Sequence, residues 1–163
     1  MKLIRTLIIF GFAFSIGYLF GIKEVRFFEI ISSSMEPTLS IGDRIVTIKP
    51  SNIQRKDIVV IKDPEGGEDI LTKRVIGLPG EIVEVKRGSV YINGEKINES
   101  YIKEKPTYNL KIKIPEDSYF LLGDNRNESE DSSVWGPVKK KLIIGKVILR
   151  YYPFKKIRLF IKK

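Results

Sequence analysis

The chain has 163 residues, of which 42% are hydrophobic and 30% charged, a size that fits one globular domain. It contains no cysteine and no histidine, so disulfides, thiolate nucleophiles, imidazole bases and most zinc sites are excluded. Its net charge of +9 is a C-terminal feature, because residues 139–163 hold ten Lys or Arg and no acidic residue. The rest of the chain holds 19 basic and 20 acidic residues.

The first predicted element is an uncharged stretch of seventeen residues from Thr6 to Ile22, with basic residues on both sides. Its length is at the lower limit for a membrane-spanning helix, ~17–25 residues, and exceeds the ~7–15 residues of a signal-peptide core. A cleaved signal peptide, an uncleaved anchor and a buried helix are the alternatives. Three glycines favour an anchor, because glycine weakens soluble helices but is common in membrane spans. We therefore expect one N-terminal transmembrane helix within residues 1–23.

Residues 24–163 are predicted to form an all-β domain with an antiparallel sheet, because their apolar runs are short, rich in Ile and Val, and separated by turn signals. Asn93-Gly94 favours the two positive φ angles of a type I′ hairpin. A variable insertion is expected around 90–118, of which the lysine-rich part, 98–115, is expected to form an insertion or an extended edge instead of core. The predicted strands are Arg44–Ile48, Asp57–Lys62, Ile70–Gly77, Glu81–Lys86, Ser89–Ile92, Ser118–Leu122 and Leu142–Tyr152.

The basic C-terminal segment, residues 139–163, alternates Lys and Arg with Ile, Leu, Val, Tyr and Phe. No recognised nucleic-acid motif accompanies it, so we expect no nucleic-acid partner. A solvated strand face near anionic lipid headgroups is the favoured interpretation, given the predicted anchor.

A serine and a lysine carry the chemical prediction. Without any imidazole, a serine nucleophile can be activated only by a carboxylate, a tyrosine or a lysine, and a Ser/Lys pair is an established arrangement. Ser34 lies in a polar loop, and Lys73 lies in a predicted strand whose alternation places it beside Leu71. Arg74 then points to the opposite face, free to pair with a carboxylate such as Asp124. A solvated lysine is the alternative, but a lysine base must lose roughly 2–3 pKa units by burial, and the apolar neighbours of Lys73 favour that.

Four segments resemble, in order and spacing, the boxes of the type I signal peptidases, which are membrane-anchored serine proteases with a Ser/Lys dyad. They are SMEPTL at 34–39, GDRIV at 42–46, KRVIGLPGE at 73–81, and GDNR at 123–126 continuing to Trp135. The resemblance covers the anchor and most of residues 30–147.

The resemblance implies a role for each matching side chain. Ser34 would be the nucleophile and Lys73 the general base. Ser32 would form the oxyanion hole with the Ser34 N–H, and Ser129 would orient the lysine. The implied supporting network is Arg74, Asp124, Arg126 and Asp131.

One position departs from the family. Its members commonly have an arginine two residues after the matching aspartate, where this chain has Ser133. We expect either that Arg126 takes the place of that arginine beside Asp131 or that the network is looser.

The function implied is removal of signal peptides from exported precursors, with cleavage after small residues of the Ala-x-Ala type and with no cofactor or metal. The precursor would add as a strand to an exposed edge. The implied location is the cell membrane, single-pass, with the catalytic domain on the extracytoplasmic side and membrane lipid as a further partner.

Self-cleaving repressors, which use a similar Ser/Lys pair, are disfavoured by the apolar N terminus. A noncatalytic β module that binds anionic lipid or nucleic acid through its basic segment is the alternative. The candidate substrate-binding residues are Ile30, Ile31, Leu71 and Thr72.

Overall fold

The computed structural model describes residues 25–160 and, before them, Gly11 and Gly17, which are both in helical conformation. Except for these two glycines, the predicted anchor from Thr6 to Ile22 lies outside the described residues. Among the residues that are described, no helix is long and apolar enough to cross a membrane.

The described chain consists of antiparallel strands, which confirms the predicted all-β class. Within residues 25–160 there is one short helix, α1 (Ser132–Trp135), and there are two 3₁₀ turns, Lys140–Leu142 and Phe154–Lys156. The strands are β1 (Arg26–Glu29), β2 (Arg44–Ile48), β3 (Ile58–Lys62), β4 (Ile70–Gly77), β5 (Ile82–Lys86), β6 (Ser89–Ile92), β7 (Glu95–Lys96), β8 (Leu110–Lys113), β9 (Ser118–Leu122), β10 (Val138–Lys139), β11 (Ile143–Tyr152) and β12 (Arg158–Leu159).

The strands form two sheets. The larger has the order β1-β2-β11-β3-β4-β9-β10, with β12 added to β11, and the smaller has the order β7-β6-β5-β8. Strand β4 pairs with β3 from Ile70 to Arg74, but with β9 only from Arg74 to Gly77. Within the part of the chain that the structure describes, residues 70–73 therefore have one edge without a strand partner.

All seven predicted strands are present, three of them one residue shorter at the N-terminal end. The hairpin prediction is also confirmed, since Asn93 has φ +50° and Gly94 has φ +90° between β6 and β7. The type I′ turn needs both positive angles, and Asn and Gly are the residues that adopt them at least cost.

Strand alternation sorts the core into clusters on opposite faces of the large sheet. Val75 packs with Val59 and Leu121 on one face, and partly buried Leu71 and Trp135 lie against this cluster. Ile76 points the other way and packs against the smaller sheet. A third cluster, beside the first strands, contains Ile30, Met35, Leu39, Ile45, Ile58, Val60 and Val147.

The expectation for residues 98–115 is confirmed for an extended edge, because β8 ends the smaller sheet, but it is wrong in excluding the segment from the core. Strand β8 pairs with β5, and Ile114 is fully buried in the cluster beneath the smaller sheet. Tyr101 and Tyr108 pack against the same cluster. The lysines of this segment alternate with apolar residues that face inward, so a high lysine content did not exclude a half-buried strand.

The interpretation of the basic segment as a solvated face is wrong for part of it. The side chain of Arg150 is buried and donates to Asp43 Oδ2 at 2.8 Å and to the Thr38 carbonyl at 2.9 Å. Lys146 forms an ion pair with buried Asp57 at 2.7 Å. These two cations stabilise the turns before β2 and β3.

Candidate active site

The loop that carries Ser34 is held by the burial of its apolar members. It follows β1 and turns tightly, with Glu36 N–H donating to the Ser33 carbonyl and Leu39 N–H to the Met35 carbonyl. Met35 and Leu39 are almost fully buried in the cluster beside β2. Removing such a side chain typically costs ~2–5 kcal/mol, so these two residues fix the position of Ser34.

Lys73 lies on the face of β4 that the alternation predicted, beside Leu71, Val75 and Trp135. It is only 3% exposed, and its Nζ lies 5.9 Å from the centroid of the Trp135 ring. Burial lowers the pKa of the amine from 10.5 to about 8, although the carboxylates of Asp131 and Glu130 oppose this shift. At neutral pH about one amine in ten is therefore unprotonated, a fraction several hundred times that of an exposed lysine.

Lys73 Nζ donates a hydrogen bond to Ser129 Oγ at 3.0 Å. Ser32 Oγ and Ser34 Oγ are 3.2 Å apart. In the part of the chain that the structure describes, no hydrogen bond joins Lys73 to Ser34. Catalytic hydrogen bonds are often long before substrate binds, so the lack of a direct Lys73–Ser34 hydrogen bond does not argue against a catalytic pair.

Gly123 lies at the contact between the loop that carries Ser34 and the loop that carries Ser129. A Cβ built on it would come within 2.6 Å of the Ser34 carbonyl oxygen and 2.5 Å of Ser129 Cβ, and would overlap Ser129 Oγ. Asn125 joins the same two loops. Its backbone N–H donates to the Ser34 carbonyl at 3.0 Å, and its Nδ2 donates to the Ser33 carbonyl at 3.3 Å. The close approach explains why glycine is required at position 123.

Arg74 forms the ion pair with Asp124 that its position on β4 predicted. Its Nε and Nη2 donate to the two carboxylate oxygens at 2.7 and 2.6 Å, and both side chains are buried. The remaining donors reach Thr38 Oγ1 at 3.2 Å and the Lys56 carbonyl at 2.9 Å. A buried bidentate pair with its other donors satisfied is rigid, so β4, the serine loop and the 123–126 loop are joined at one point.

Asp131 shows how the chain accommodates Ser133 at the position where the resemblance implies an arginine. Asp131 is fully buried and caps α1, accepting from Ser133 N–H at 3.0 Å, from Ser133 Oγ at 2.8 Å and from Gly123 N–H at 2.9 Å. The expectation that Arg126 pairs with it is wrong, since Arg126 forms a bidentate pair with Glu99 at 2.9 and 2.6 Å. Three hydrogen bonds, without an ion pair among the described residues, compensate the buried carboxylate.

A cleft of about 210 Å³ opens beside Ser34 between the end of β1 and the unpaired edge of β4. Its walls combine apolar side chains with two carboxylates at the rim, Glu29 and Asp69. All four candidate substrate-binding residues line it, together with both oxyanion-hole candidates: Ile30, Ile31, Leu71, Thr72, Ser32 and Ser34.

Sequence reasoning missed several residues of this site. Gly123, Asn125 and Thr38 stand inside the segments that carry the family resemblance, so the close contacts required there could have been sought. Glu99 and Tyr101 lie in the segment that was predicted to be outside the core. No local signal marks them, because their roles depend on contacts with residues more than 25 positions away.

Comparison with known proteins agrees with this geometry. The family model for signal peptidase, peptidase S26, matches residues 3–152. A probable signal peptidase I-2 of Synechocystis is 40% identical, covering 89% of this chain and 70% of the relative. Signal peptidase IB of Staphylococcus aureus is 33% identical, covering 96% and 93%. The crystal structure of a signal peptidase I from Enterococcus faecalis has a TM-score of 0.54 at 35% identity, covering 59% of this chain and 97% of that one.

The sheet, the loop that carries Ser34 and the strand that carries Lys73 thus define a serine-peptidase scaffold. The chain belongs to the signal peptidase family, peptidase S26. This confirms the resemblance drawn from the sequence.

Proposed function

We propose that the protein is a signal peptidase I, a serine endopeptidase that removes N-terminal signal peptides from exported precursors. The observation that carries the proposal is the buried amine of Lys73, with a pKa of about 8 and a hydrogen bond to Ser129, next to the loop that presents Ser34. A lysine that is partly neutral at physiological pH is unusual, and a cleft beside it is where a base is useful.

In the proposed mechanism, neutral Lys73 accepts the proton of Ser34 Oγ as the oxygen attacks the scissile carbonyl carbon. The tetrahedral oxyanion accepts hydrogen bonds from Ser34 N–H and Ser32 Oγ. Among the described residues, the Ser34 N–H has no acceptor, so it is available for this role. Protonated Lys73 then gives its proton to the leaving amine, and the acyl-enzyme remains on Ser34.

Deacylation repeats these steps with water. Lys73, neutral again, removes a proton from a water molecule whose oxygen attacks the ester carbonyl. Collapse of the second tetrahedral intermediate returns the proton to Ser34 Oγ and releases the new carboxyl terminus. Ser129 fixes the direction of the amine in both halves, while the network of Arg74, Asp124 and Asp131 holds the loops, so no metal or cofactor is needed.

The cleft accounts for recognition of an extended precursor. The free edge of residues 70–73 has backbone groups with which an added strand can pair. Side chains at alternate positions of that strand then point into the cleft, where about 210 Å³ bounded by Ile30 and Leu71 accepts small residues and excludes large ones. This geometry fits cleavage after an Ala-x-Ala segment.

We further propose a single-pass anchor in residues 1–23 and a protease domain in residues 24–163 on the extracytoplasmic side of the cell membrane. Ser34 is only twelve positions after Ile22, which at ~3.3–3.6 Å per residue limits the tether to about 40 Å. The cleft therefore stays near the bilayer, where precursors are anchored.

The proposal is tested by cleavage of a precursor peptide with an Ala-x-Ala segment, followed by mass spectrometry of the new N terminus. Ser34→Ala and Lys73→Met should leave almost no activity. Ser32→Ala should lower kcat by ~10²–10³, because one oxyanion donor is worth ~2.7–4 kcal/mol. Ser33→Ala is the matched control, since its hydroxyl makes no hydrogen bond within the described residues, and it should keep most activity.

Full activity of Ser34→Ala would refute the nucleophile assignment. Salt-sensitive binding of anionic vesicles or nucleic acid by a wild-type protein that cuts no precursor would instead favour the noncatalytic alternative.

A further inference from the structure

We propose that residues 99–103, named here the strap, are a positioning element that holds two loops in their catalytic arrangement. These are the serine loop, residues 30–43, which carries Ser34, and the lysine-orienting loop, residues 123–131, which carries Ser129. The inference rests on the proposed function but concerns residues that lie outside the cleft. The strap lies between β7 and β8, in a segment without regular secondary structure.

The C-terminal end of the strap connects both catalytic loops directly. The backbone N–H of Lys103 donates to the Asp124 carbonyl at 2.9 Å, and Lys103 Nζ forms an ion pair with Glu36 Oε2 at 3.1 Å. Glu36 is two residues after Ser34, and Asp124 follows Gly123, against which Ser34 packs. Lys103 alone thus contacts both loops, each at a residue close to Ser34.

The centre of the strap covers the arginine next to the proposed base. The Tyr101 ring lies 4.1 Å from the Arg74 guanidinium carbon, and its hydroxyl donates to Glu99 Oε1 at 2.9 Å. Arg74 is the residue that joins β4 to Asp124. The half-buried aromatic ring shields that ion pair from water and adds a cation–π attraction to its hydrogen bonds.

The N-terminal end of the strap neutralises a buried cation. Arg126 is fully buried and forms a bidentate ion pair with Glu99, while its Nε donates to the Gly123 carbonyl at 3.1 Å. Without Glu99, the guanidinium would be an uncompensated charge in the interior, which a protein avoids by moving the chain or admitting water. Either response displaces Gly123 and with it Ser129, the hydrogen-bond partner of Lys73.

The strap therefore acts through other residues. None of its side chains lines the cleft, so a substrate does not contact it. Loosening it should misplace Ser34 relative to Lys73 and hydrate the amine, which lowers kcat and leaves KM nearly unchanged. Because hydration removes the desolvation that lowers the pKa of Lys73, the acidic limb of the kcat/KM profile should move to higher pH.

The experiment compares Tyr101→Leu, Tyr101→Phe and a control, Tyr91→Leu, in the full-length protein. Tyr91 is a tyrosine of the smaller sheet whose ring lies 4.8 Å from Lys86 Nζ, away from the cleft. Tyr101→Leu should lower kcat by about tenfold to a hundredfold, the range expected from a misplacement of up to about 1 Å. Tyr101→Phe keeps the ring on Arg74 and should recover most of that loss, and Tyr91→Leu should keep wild-type kcat.

The pH profile separates positioning from stability. Asp131 and Glu130 both raise the pKa of the Lys73 amine, so moving either carboxylate away would shift the acidic limb to lower pH. A shift to higher pH therefore reports hydration of the amine. If Tyr101→Leu fails to fold by thermal unfolding, Lys103→Met takes its place, since this half-exposed side chain can be removed without a cavity. It should lower kcat and shift the limb in the same direction by a smaller amount.

An unchanged kcat and acidic limb in a folded Tyr101→Leu variant would overturn the strap, as would an equal loss of kcat in Tyr91→Leu. Ser34→Ala, measured in parallel, distinguishes the two proposals. If it is inactive while the strap variants are normal, only the strap is wrong. If it is active, the proposed function itself fails.

Discussion

At the scale of single residues, Lys73 meets a demand that an exposed lysine cannot, because only the neutral amine accepts a proton. Burial lowers its pKa to about 8, so the neutral form grows as pH rises through that value. We expect kcat/KM for a soluble peptide to rise with pH along a single-ionisation limb with a midpoint near pH 8. Steady-state rates between about pH 6 and about pH 10 check this, and a rate independent of pH across that range would contradict it.

The neighbouring carboxylates provide a sharper version of the same prediction. Glu130 raises the pKa of Lys73, so Glu130→Gln should move the limb to lower pH. Glu130 is exposed, so the movement should be small and should shrink in high salt. Glu128→Gln removes an equally exposed carboxylate from the same loop and serves as the control. A shift toward higher pH in Glu130→Gln would contradict a carboxylate at position 130 that raises the pKa of Lys73.

Gly123 is the second residue on which a prediction depends. An added methyl group would press on the Ser34 carbonyl and on Ser129, so one of the two catalytic loops must move. Gly123→Ala should lower kcat at least about a hundredfold and destabilise the fold by ~1–3 kcal/mol. Gly145→Ala is the matched control, because its Cβ would crowd Thr47 at 2.7–2.8 Å, far from the cleft. It should lower stability while kcat stays near wild type.

At this scale, the side-chain positions that the sequence predicted correctly are those determined within one motif or one strand. The face of Lys73 and the pairing of Arg74 followed from a period of two residues along β4, which is a local property. The partner of Arg126 did not follow, because Glu99 reaches it across a loop whose path no periodicity determines. The substitute for the missing arginine was also beyond prediction, since Ser133 acts as part of a helix cap.

At the scale of secondary structure, predictable strands are those whose own residues specify them. Strand β4 and the β6–β7 hairpin have strong alternation or a turn dipeptide with a single preferred geometry. Strands β1, β10 and β12 have two to four residues each and were not predicted. Such short edges contain too few alternating positions to show a pattern, and they exist because a neighbouring strand offers hydrogen bonds.

Strand β8 was missed for another reason. Its sequence, LKIK, alternates as a half-buried strand should, but the surrounding lysines and prolines hide the pattern. Pairing with β5 places Leu110 and Ile112 against the cluster beneath the smaller sheet. This strand completes the sheet, so the strap is held between a hairpin and a packed strand. Long-range packing therefore decided an element that local composition opposed.

At the scale of the whole molecule, the proposed active site joins parts that are distant in sequence. Residues 34, 73 and 129 lie in one region because β11 joins β2, which follows the serine loop, to β3. Strand β4, which carries Lys73, then pairs with both β3 and β9. The order of these strands was not available from the sequence, although the family resemblance identified the residues. Lys146 and Arg150 of β11, read as lipid-facing, are used internally as ion-pair partners.

Lys155, Lys156 and Arg158 lie on an exposed surface that also carries apolar side chains. Exposed apolar side chains and cations alternate after β11, and the Tyr152 ring stacks edge-on against Phe154 at 5.7 Å. Phe27, near the start of the described domain and thus near the predicted anchor, is also exposed. The surface consists of Tyr152, Phe154, Lys155, Lys156, Ile157, Arg158 and Leu159. Each cation near an anionic membrane surface contributes ~1 kcal/mol to the free energy of membrane binding, and each apolar side chain adds to it by burial in the membrane interface.

This surface yields a prediction about where the enzyme works best. Phe154→Ser combined with Ile157→Ser should lower cleavage of a precursor anchored in vesicles with anionic lipid several-fold, because the cleft is held less often at the membrane. Cleavage of a soluble peptide should stay unchanged, since both residues lie outside the cleft. Ile82→Ser, which replaces an exposed apolar residue of the smaller sheet, is the control for both substrates. Equal rates for the double variant and wild type on vesicles would mean that the anchor alone sets the distance between the cleft and the bilayer.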